Sequence, residues 1–166
     1  MQSHYNFIFD TITNTYNFVT KNNILYRIAF IVDETFSAIS GENIANVYQI
    51  IIEKANGDIE PFYPKVSKTV ENIIEQFFLN IDNSLVYICS EANDKAKARH
   101  EIFDRWYKNS IYKHVIVKID NILNIKISEN EVQKLYTSFM FHSKNPNYNK
   151  LIKIYNQIED MLNDIK

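Results

Sequence analysis

The residue types that bind anions lie together between a predicted strand and a predicted helix. Residues 91–99 hold two acids and three bases, and Glu91, Asp94, Lys95 and Arg99 are the ones that could form a site. The first turn of a helix has free N–H groups and a partial positive charge, so cations beside it favour a phosphate or a carboxylate. An anion site at this helix start is therefore one interpretation of these residues, to be weighed against a structural one. The candidate ligand-binding residues are Glu91, Asp94, Lys95, Arg99, Arg105 and Trp106.

An uninterrupted apolar run positions these residues. Residues 85–89 have no polar face, which predicts a strand that is covered on both sides. Asp94 suits the N-cap position, because its carboxylate can accept hydrogen bonds from the N–H groups of the following turn. The helix then extends to about Tyr107. The candidate residues are thus expected at a strand end and along the helix that follows it.

Arg99 is the residue on which a structural and a functional interpretation differ. At about 100° per residue it falls within an apolar stripe of the helix. An unpaired charge in such a stripe is costly, so the guanidinium needs a partner. We favour a structurally paired arginine over an anion-binding one, because long side chains often bury their stems. The partner of Arg99 would be Glu91, Asp10, Asp120 or a ligand. The apolar stripe of the helix consists of Ala98, Ile102, Phe103 and Trp106. The residues expected to face solvent are Lys97 and the i,i+4 pair His100 and Asp104.

Few other residues are spaced for catalysis. Cys89 is the only cysteine and it ends an apolar run, so we interpret it as buried packing rather than as a nucleophile. The 4 histidines are scattered singly, without the spacing of a metal site. The 2 glycines form neither a phosphate-binding loop nor a dinucleotide fingerprint. We therefore expect no catalytic residue, no metal and no cofactor, and we favour a role other than catalysis.

Some of these residues also form a pattern that resembles a protein family. A strand ends in Tyr87 and Cys89, a polar loop follows, and Arg99 precedes the sequence Phe-Asp-Arg-Trp at 103–106. This order is similar to that of uncharacterised bacterial proteins that share a domain of unknown function. Members often have an acid directly after the cysteine, where this chain has Ser90. The resemblance covers most of the chain, including aromatic segments at 5–10, 15–20 and 22–28, and it implies a single domain without indicating an activity.

Charge is distributed unevenly along the chain. The net charge of −2 gives no overall attraction to nucleic acid or membrane. Residues 34–94 hold 10 acids and 3 bases, a balance of −7, and residues 95–118 hold 7 bases and 2 acids, a balance of +5. We interpret this pattern as intramolecular complementarity. Nucleic-acid contact through residues 95–118 is the alternative, which salt-dependent binding would test.

Apolar periodicity predicts an α+β fold in one domain over residues 1–166. An N-terminal antiparallel meander of about four strands precedes the order helix, strand, helix, strands, helix, with helices on one face of a mainly antiparallel sheet. A loop or a short helix is expected near Ser37. The predicted strands are 5–10, 15–20, 24–32, 47–54, 85–89, 114–119, 122–127 and 135–143; the predicted turns are 56–57 and 120–121; the predicted helices are 66–79, 94–107 and one that starts at Asn145-Pro146 and buries Tyr148, Leu151, Tyr155, Ile158, Leu162 and Ile165.

These observations favour a small bacterial interaction module that binds a protein partner or its own copy. An accessory, immunity or antitoxin-like role would fit such a module. The alternative is an enzyme or ligand sensor that uses the anion site near Asp94 and Arg99. No signal peptide and no apolar run of about 18 residues is visible, so we expect a cytoplasmic location without membrane contact.

Overall fold

A computed structural model describes residues 3–56, 64–90 and 96–164. Within them lie seven β-strands and four α-helices, which confirms the predicted α+β class. The residues group into an N-terminal unit, residues 1–31 and 50–79, and a C-terminal unit, residues 32–49 and 80–166. Each unit has its own sheet strands and its own helices.

The N-terminal unit begins with the predicted antiparallel meander. It contains β1 (Phe7–Asp10), β2 (Thr15–Val19), most of β3 (Leu25–Val32) and the end of β4 (Val47–Lys54). Strand β2 pairs antiparallel with β1 and with β3. The connecting turns use Asn14 and Asn23 with φ of 55° and 60°, a left-handed conformation that asparagine tolerates better than most residues.

One face of the meander carries aromatic side chains, and α2 (Pro64–Phe77) packs on it. Phe18 stacks on Tyr26 with ring centroids 5.0 Å apart, and Phe30 stacks on Phe77 of α2 at 4.1 Å. The apolar period of four and three residues predicted this helix, although it starts at Pro64 rather than at Val66. The predicted turn at Asn56-Gly57 lies partly outside the described residues.

The C-terminal unit contains α1 (Thr35–Ser40), the first residues of β4, and then β5 (Ser84–Ser90), β6 (Ile116–Ser128) and β7 (Glu131–His142). Helix α1 precedes β4 in the chain and confirms the short helix expected near Ser37. The strand order is β4-β5-β7-β6, with β4 and β5 parallel and the other pairs antiparallel. Its mainly antiparallel pairing is as predicted.

Strand β6 is one long strand, so the predicted turn at Asp120-Asn121 is wrong. The two residues pair with Ser138 and Thr137 across the ladder, and the chain turns instead at residues 129–130. The carboxylate of Asp120 accepts a hydrogen bond from Ser138 Oγ at 2.6 Å. Because this cross-strand hydrogen bond satisfies the carboxylate, Asp120 is compatible with a position inside a strand.

Helices cover both faces of this sheet, whereas one covered face was predicted. Phe36 of α1 and Tyr155 of α4 (Tyr148–Asp164) share a core with Val86 and Phe139. Tyr87, which points to the opposite face, stacks on a ring of α3 (Ala96–Asn109). The alternation of side chains along β5 therefore gives each face its own helix.

Helix α4 buries three of its predicted core residues, Leu151, Tyr155 and Ile158. Tyr148 is exposed at 36 %, and the side chains of Leu162 and Ile165 lie outside the described part. The helix begins at Tyr148 rather than at Pro146. Just before it, Asn145 Oδ1 accepts a hydrogen bond from the N–H of Asn147.

Side chains near the end of α4 also bind the backbone of β6. Glu159 accepts a hydrogen bond from the N–H of Asn124 at 2.9 Å. Asn163 accepts one from the N–H of Lys126 and donates one to the carbonyl of Asn124, both at 3.0 Å. Backbone groups on the outer side of this strand are thus satisfied by a helix.

Candidate functional site

The predicted anion site is only partly within the described residues. Glu91, Asp94 and Lys95 lie outside them. Arg99 and Arg105 are exposed on α3, and Trp106 is half-buried with its ring centroid 4.7 Å from that of Phe103. Of the six candidates, the structure therefore locates these three, and all three lie on α3.

The face of α3 that packs on the sheet is shifted from the predicted apolar stripe. Ala96 is buried, and His100, Phe103 and Tyr107 follow it at intervals of four, three and four residues and are half-buried, as are Ile102 and Trp106 of the predicted stripe. Phe103 stacks on Tyr87 at 3.6 Å, and Tyr107 donates a hydrogen bond to the carbonyl of Ile116 at 2.7 Å. The helix is thus rotated by roughly a quarter turn from the predicted orientation.

This rotation changes the interpretation of Arg99 and Ala98, which are both exposed rather than part of a buried stripe. An exposed guanidinium keeps its hydration, so the argument that it must have a buried partner does not apply. Arg99 still lies on the β5 side of the helix, since its charge favours the ionised forms of Tyr87 and Cys89.

His100 and Asp104, which were predicted to face solvent, belong instead to a cluster of charged groups beneath α3. The ammonium of Lys118 lies 3.3 Å from Asp104 Oδ1 and donates a hydrogen bond to Asp120, while only 3 % of its side chain is exposed. His100 Nε2 lies 3.9 Å from Asp120 Oδ1. Lys108, on the exposed side, pairs with Asp104 at 2.6 Å. We call His100, Asp104, Lys118 and Asp120 the ionic cluster.

The electrostatics of the ionic cluster favour its charged form. Partial burial alone would raise the pKa of Asp104, but hydrogen bonds from Lys108 and Lys118 outweigh burial and lower it. Burial and the charge of Asp120 raise the pKa of Tyr107. With Lys108, which pairs with Asp104 from the exposed side, two ammonium groups face the two carboxylates.

This arrangement is poorly suited to nucleophilic catalysis. The Lys118 ammonium is already held by the carboxylates of Asp104 and Asp120 and is almost fully buried. Ser138 is 1 % exposed and donates a hydrogen bond to Asp120, so its hydroxyl is buried away from any substrate in solution. A cleft of about 360 Å³ borders the cluster. Because the ion pairs of the cluster join residues of α3 to residues of β6, its geometry indicates that it attaches the helix to the strand.

Sequence reasoning missed this cluster because its members are far apart in the chain. Lys118 and Asp120 alternate with apolar residues along β6, and this alternation is the one signal in the sequence that could have placed them on a common face. His100 and Asp104 were assigned to the outside of α3, so nothing in the sequence joined them to β6. Three of the basic residues in 95–118, Lys97, Lys108 and Lys118, pair with acids of the chain itself.

Cys89 is buried in the structure, with 3 % of its surface exposed, as predicted. Its Sγ lies 2.7 Å from the hydroxyl of Tyr87. Burial raises the pKa of the thiol, and neither this hydrogen bond nor the charge of Arg99 cancels the effect. The strand is not covered along its whole length, however, because Ile88 is 41 % exposed.

The N-terminal unit presents a different kind of surface. Its aromatic face is covered by α2, but the opposite face carries exposed apolar side chains: Ile8 at 70 %, Val19 at 52 %, Ile31 at 49 % and Ile51 at 46 %. Strand pairing places Ile8 opposite Asn17, and Val19 opposite Leu25. We call this surface the uncovered face.

The uncovered face also contains charged residues, namely Arg27, Glu53 and, at the end of β1, Asp10. Ala55 N–H donates to the carbonyl of Leu25, and Asp33 N–H donates to the carbonyl of Val47, which makes β3 and β4 antiparallel. Counting two residues along each strand from the Leu25–Ala55 pair places Arg27 opposite Glu53. Both residues are exposed. The surface is therefore apolar with a central pair of opposite charges.

Two further searches of the described residues gave negative results. No group of three or more His, Cys, Asp or Glu side chains in residues 3–56, 64–90 and 96–164 is arranged to hold a metal ion. None of the helices in that part of the chain has the length and apolar character needed to cross a membrane.

Comparison with known proteins finds one family. The model of DUF6169, a family of unknown function, matches residues 62–157, which is more than half of the chain. No curated protein and no solved structure matches the chain. The matched segment includes α2, the ionic cluster and the whole β6–β7 hairpin.

Proposed function

The chain belongs to this family of unknown function, and we propose that it is a protein-binding module that associates with a second copy of itself through the uncovered face. The observation that carries the proposal is the exposure of Ile8, Val19, Ile31 and Ile51 on one side of one sheet. Ile8 and Val19 are diagonal neighbours on β1 and β2, and exposed apolar side chains grouped on one face of a sheet support an interaction site.

The charges on the uncovered face favour a second copy as the partner. Arg27 and Glu53 are cross-strand neighbours near the middle of this face. In a two-fold symmetric contact the same surface meets itself, so Arg27 of one copy can face Glu53 of the other. The apolar residues around them would supply the buried area, while the charges would fix the register.

The reducing cytoplasm of a bacterium is the location that we propose for this module. Cys89 is a free and buried thiol, which suits a compartment where disulfides do not form. Resemblance to bacterial proteins supports the same assignment. An accessory, immunity or antitoxin-like protein would use such a module to hold a partner.

Sedimentation equilibrium of the full chain over a wide concentration range tests the proposal. We expect the wild type to form a dimer, and the double variant Val19→Lys, Ile51→Lys to be monomeric, because four like charges would meet in the contact. Ile12→Lys is the matched control, since Ile12 is 94 % exposed in the β1–β2 turn and should leave the dimer intact. A wild-type protein that remains monomeric throughout would refute self-association.

A further inference from the structure

A cleft of about 480 Å³ lies where β1 begins in the N-terminal unit. Ile8, Val19 and Leu25 supply apolar side chains to its wall, and His4 and Lys65 supply groups that can carry positive charge. The volume is within the usual range for a small-molecule site, and a mostly apolar wall with a few polar groups is typical of such sites.

The polar groups of this cleft lack acidic partners. No Asp or Glu is among the described residues that line it. The Lys65 ammonium lies 4.7 Å from the centroid of the Tyr5 ring, and no carboxylate of the described residues is within 4.0 Å of it in an ion pair. The cleft therefore offers a cation that the described part of the chain does not neutralise.

His4 adds a second polar group with unused hydrogen-bonding capacity. Its Nδ1 is buried and has no hydrogen-bond partner. A buried N–H without a partner is rarer than a buried acceptor without one, so the ring proton belongs on Nε2. Nε2 is then the nitrogen that can donate to a ligand.

We propose that this cleft binds a small monocarboxylate with an apolar tail. The carboxylate would accept hydrogen bonds from the Lys65 ammonium and from His4 Nε2, because charge-assisted bonds of this kind are strong. The tail would lie against Ile8, Val19 and Leu25. The cleft shares Ile8 and Val19 with the uncovered face, whereas Ile31 and Ile51 do not line it, so a variant at Ile51 tells a failure of self-association from a failure of ligand binding.

Calorimetric titration of the full chain with hexanoate tests this site. Hexanoate should bind, and hexylamine, which has the same tail and the opposite charge, should not. Lys65→Gln should weaken hexanoate binding about tenfold, as expected for the loss of one charged hydrogen bond. Lys21→Gln is the matched control, because Lys21 is exposed in the same unit and does not line the cleft.

Two further variants separate the cleft from the rest of the molecule. Ile8→Ser removes apolar wall from an exposed position, so it should weaken hexanoate binding while the protein stays folded. Ile51→Lys, which addresses self-association, should leave hexanoate binding unchanged. The proposal is overturned if hexanoate fails to bind the wild type, or if it binds Lys65→Gln and Ile8→Ser as tightly as the wild type.

Discussion

The ammonium of Lys118 on β6 lies 3.3 Å from the carboxylate of Asp104 on α3, although only 3 % of the lysine side chain is exposed. A buried charge is tolerated when it is paired on more than one side, and Asp120 supplies the second carboxylate. The attachment of α3 to the sheet thus depends on charges as well as on the Tyr87–Phe103 stack.

Removing the lysine should destabilise the protein strongly. Lys118→Met removes the charged hydrogen bonds to Asp104 and Asp120, which are themselves partly exposed, so we expect a loss of about 1.5–3 kcal/mol in the free energy of unfolding, measured by urea denaturation. Lys108→Met is the matched control: its side chain is 70 % exposed, and such pairs contribute about 0–1 kcal/mol. Equal effects of the two substitutions would contradict the assignment of a buried pair.

Arg99→Ala should have little effect on stability. Because Arg99 is exposed, its contacts are screened by water, and we expect a change of less than about 1 kcal/mol in the free energy of unfolding. The same urea denaturation measures it. A loss as large as that of Lys118→Met would show that Arg99 is buried and paired, as the apolar stripe had predicted.

The thiol of Cys89 should be protected in the native protein. Burial raises its pKa and limits access, while the thiolate is the form that reacts. We expect slow reaction with a disulfide reagent under native conditions and fast reaction in denaturant. Since Cys89 is the only cysteine, absorbance of the released group reports on it alone. Fast native labelling would show that the end of β5 opens readily.

Glu75 should make the protein less stable as the pH rises. Burial raises the pKa of its carboxyl above 4.5; Lys68 opposes this effect and Glu71 adds to it, and Oε1 has no hydrogen-bond partner. Because the folded protein holds this proton more tightly than the unfolded chain, the free energy of unfolding falls as pH rises from about 4.5 through the folded-state pKa.

Glu75→Gln removes this titration, so the variant should gain stability over the wild type at pH 7, by about 1 kcal/mol or less, and gain less at pH 4. Urea denaturation at the two pH values gives the comparison. Glu131→Gln, at an exposed position of β7, should show no such difference. If Glu75→Gln raises the free energy of unfolding equally at both pH values, the effect does not come from the charge of the Glu75 carboxylate.

Periodicity predicted the meander and α2 well, because aromatic residues alternate along β1 and β2 and the apolar residues of α2 form one stripe. It failed on α3, where the inward residues His100 and Tyr107 are amphipathic and carry polar atoms into the interior. Ala98 and Ile102 looked like the core, and a stripe drawn through them placed Arg99 at its centre. Hydrogen-bond partners on another strand decided the orientation, and a single helix does not contain that information.

Long-range pairing also explains the error in β6. Asp120 and Asn121 have turn chemistry, but Ser138 and Thr137 stand opposite them. The ionic cluster could be anticipated only from the alternation of Lys118 and Asp120 along their strand. Its helix half, His100 and Asp104, required the fold.

The hydrogen bonds that the N–H groups of Asn124 and Lys126 donate to Glu159 and Asn163 have a consequence for aggregation. An outer strand with free N–H and C=O groups is a template on which a strand of another molecule can form. The last turns of α4 occupy these groups on β6, so a chain shortened before Glu159 should expose them. Such a shortened chain would be expected to form cross-β aggregates from a protein whose remaining fold is intact.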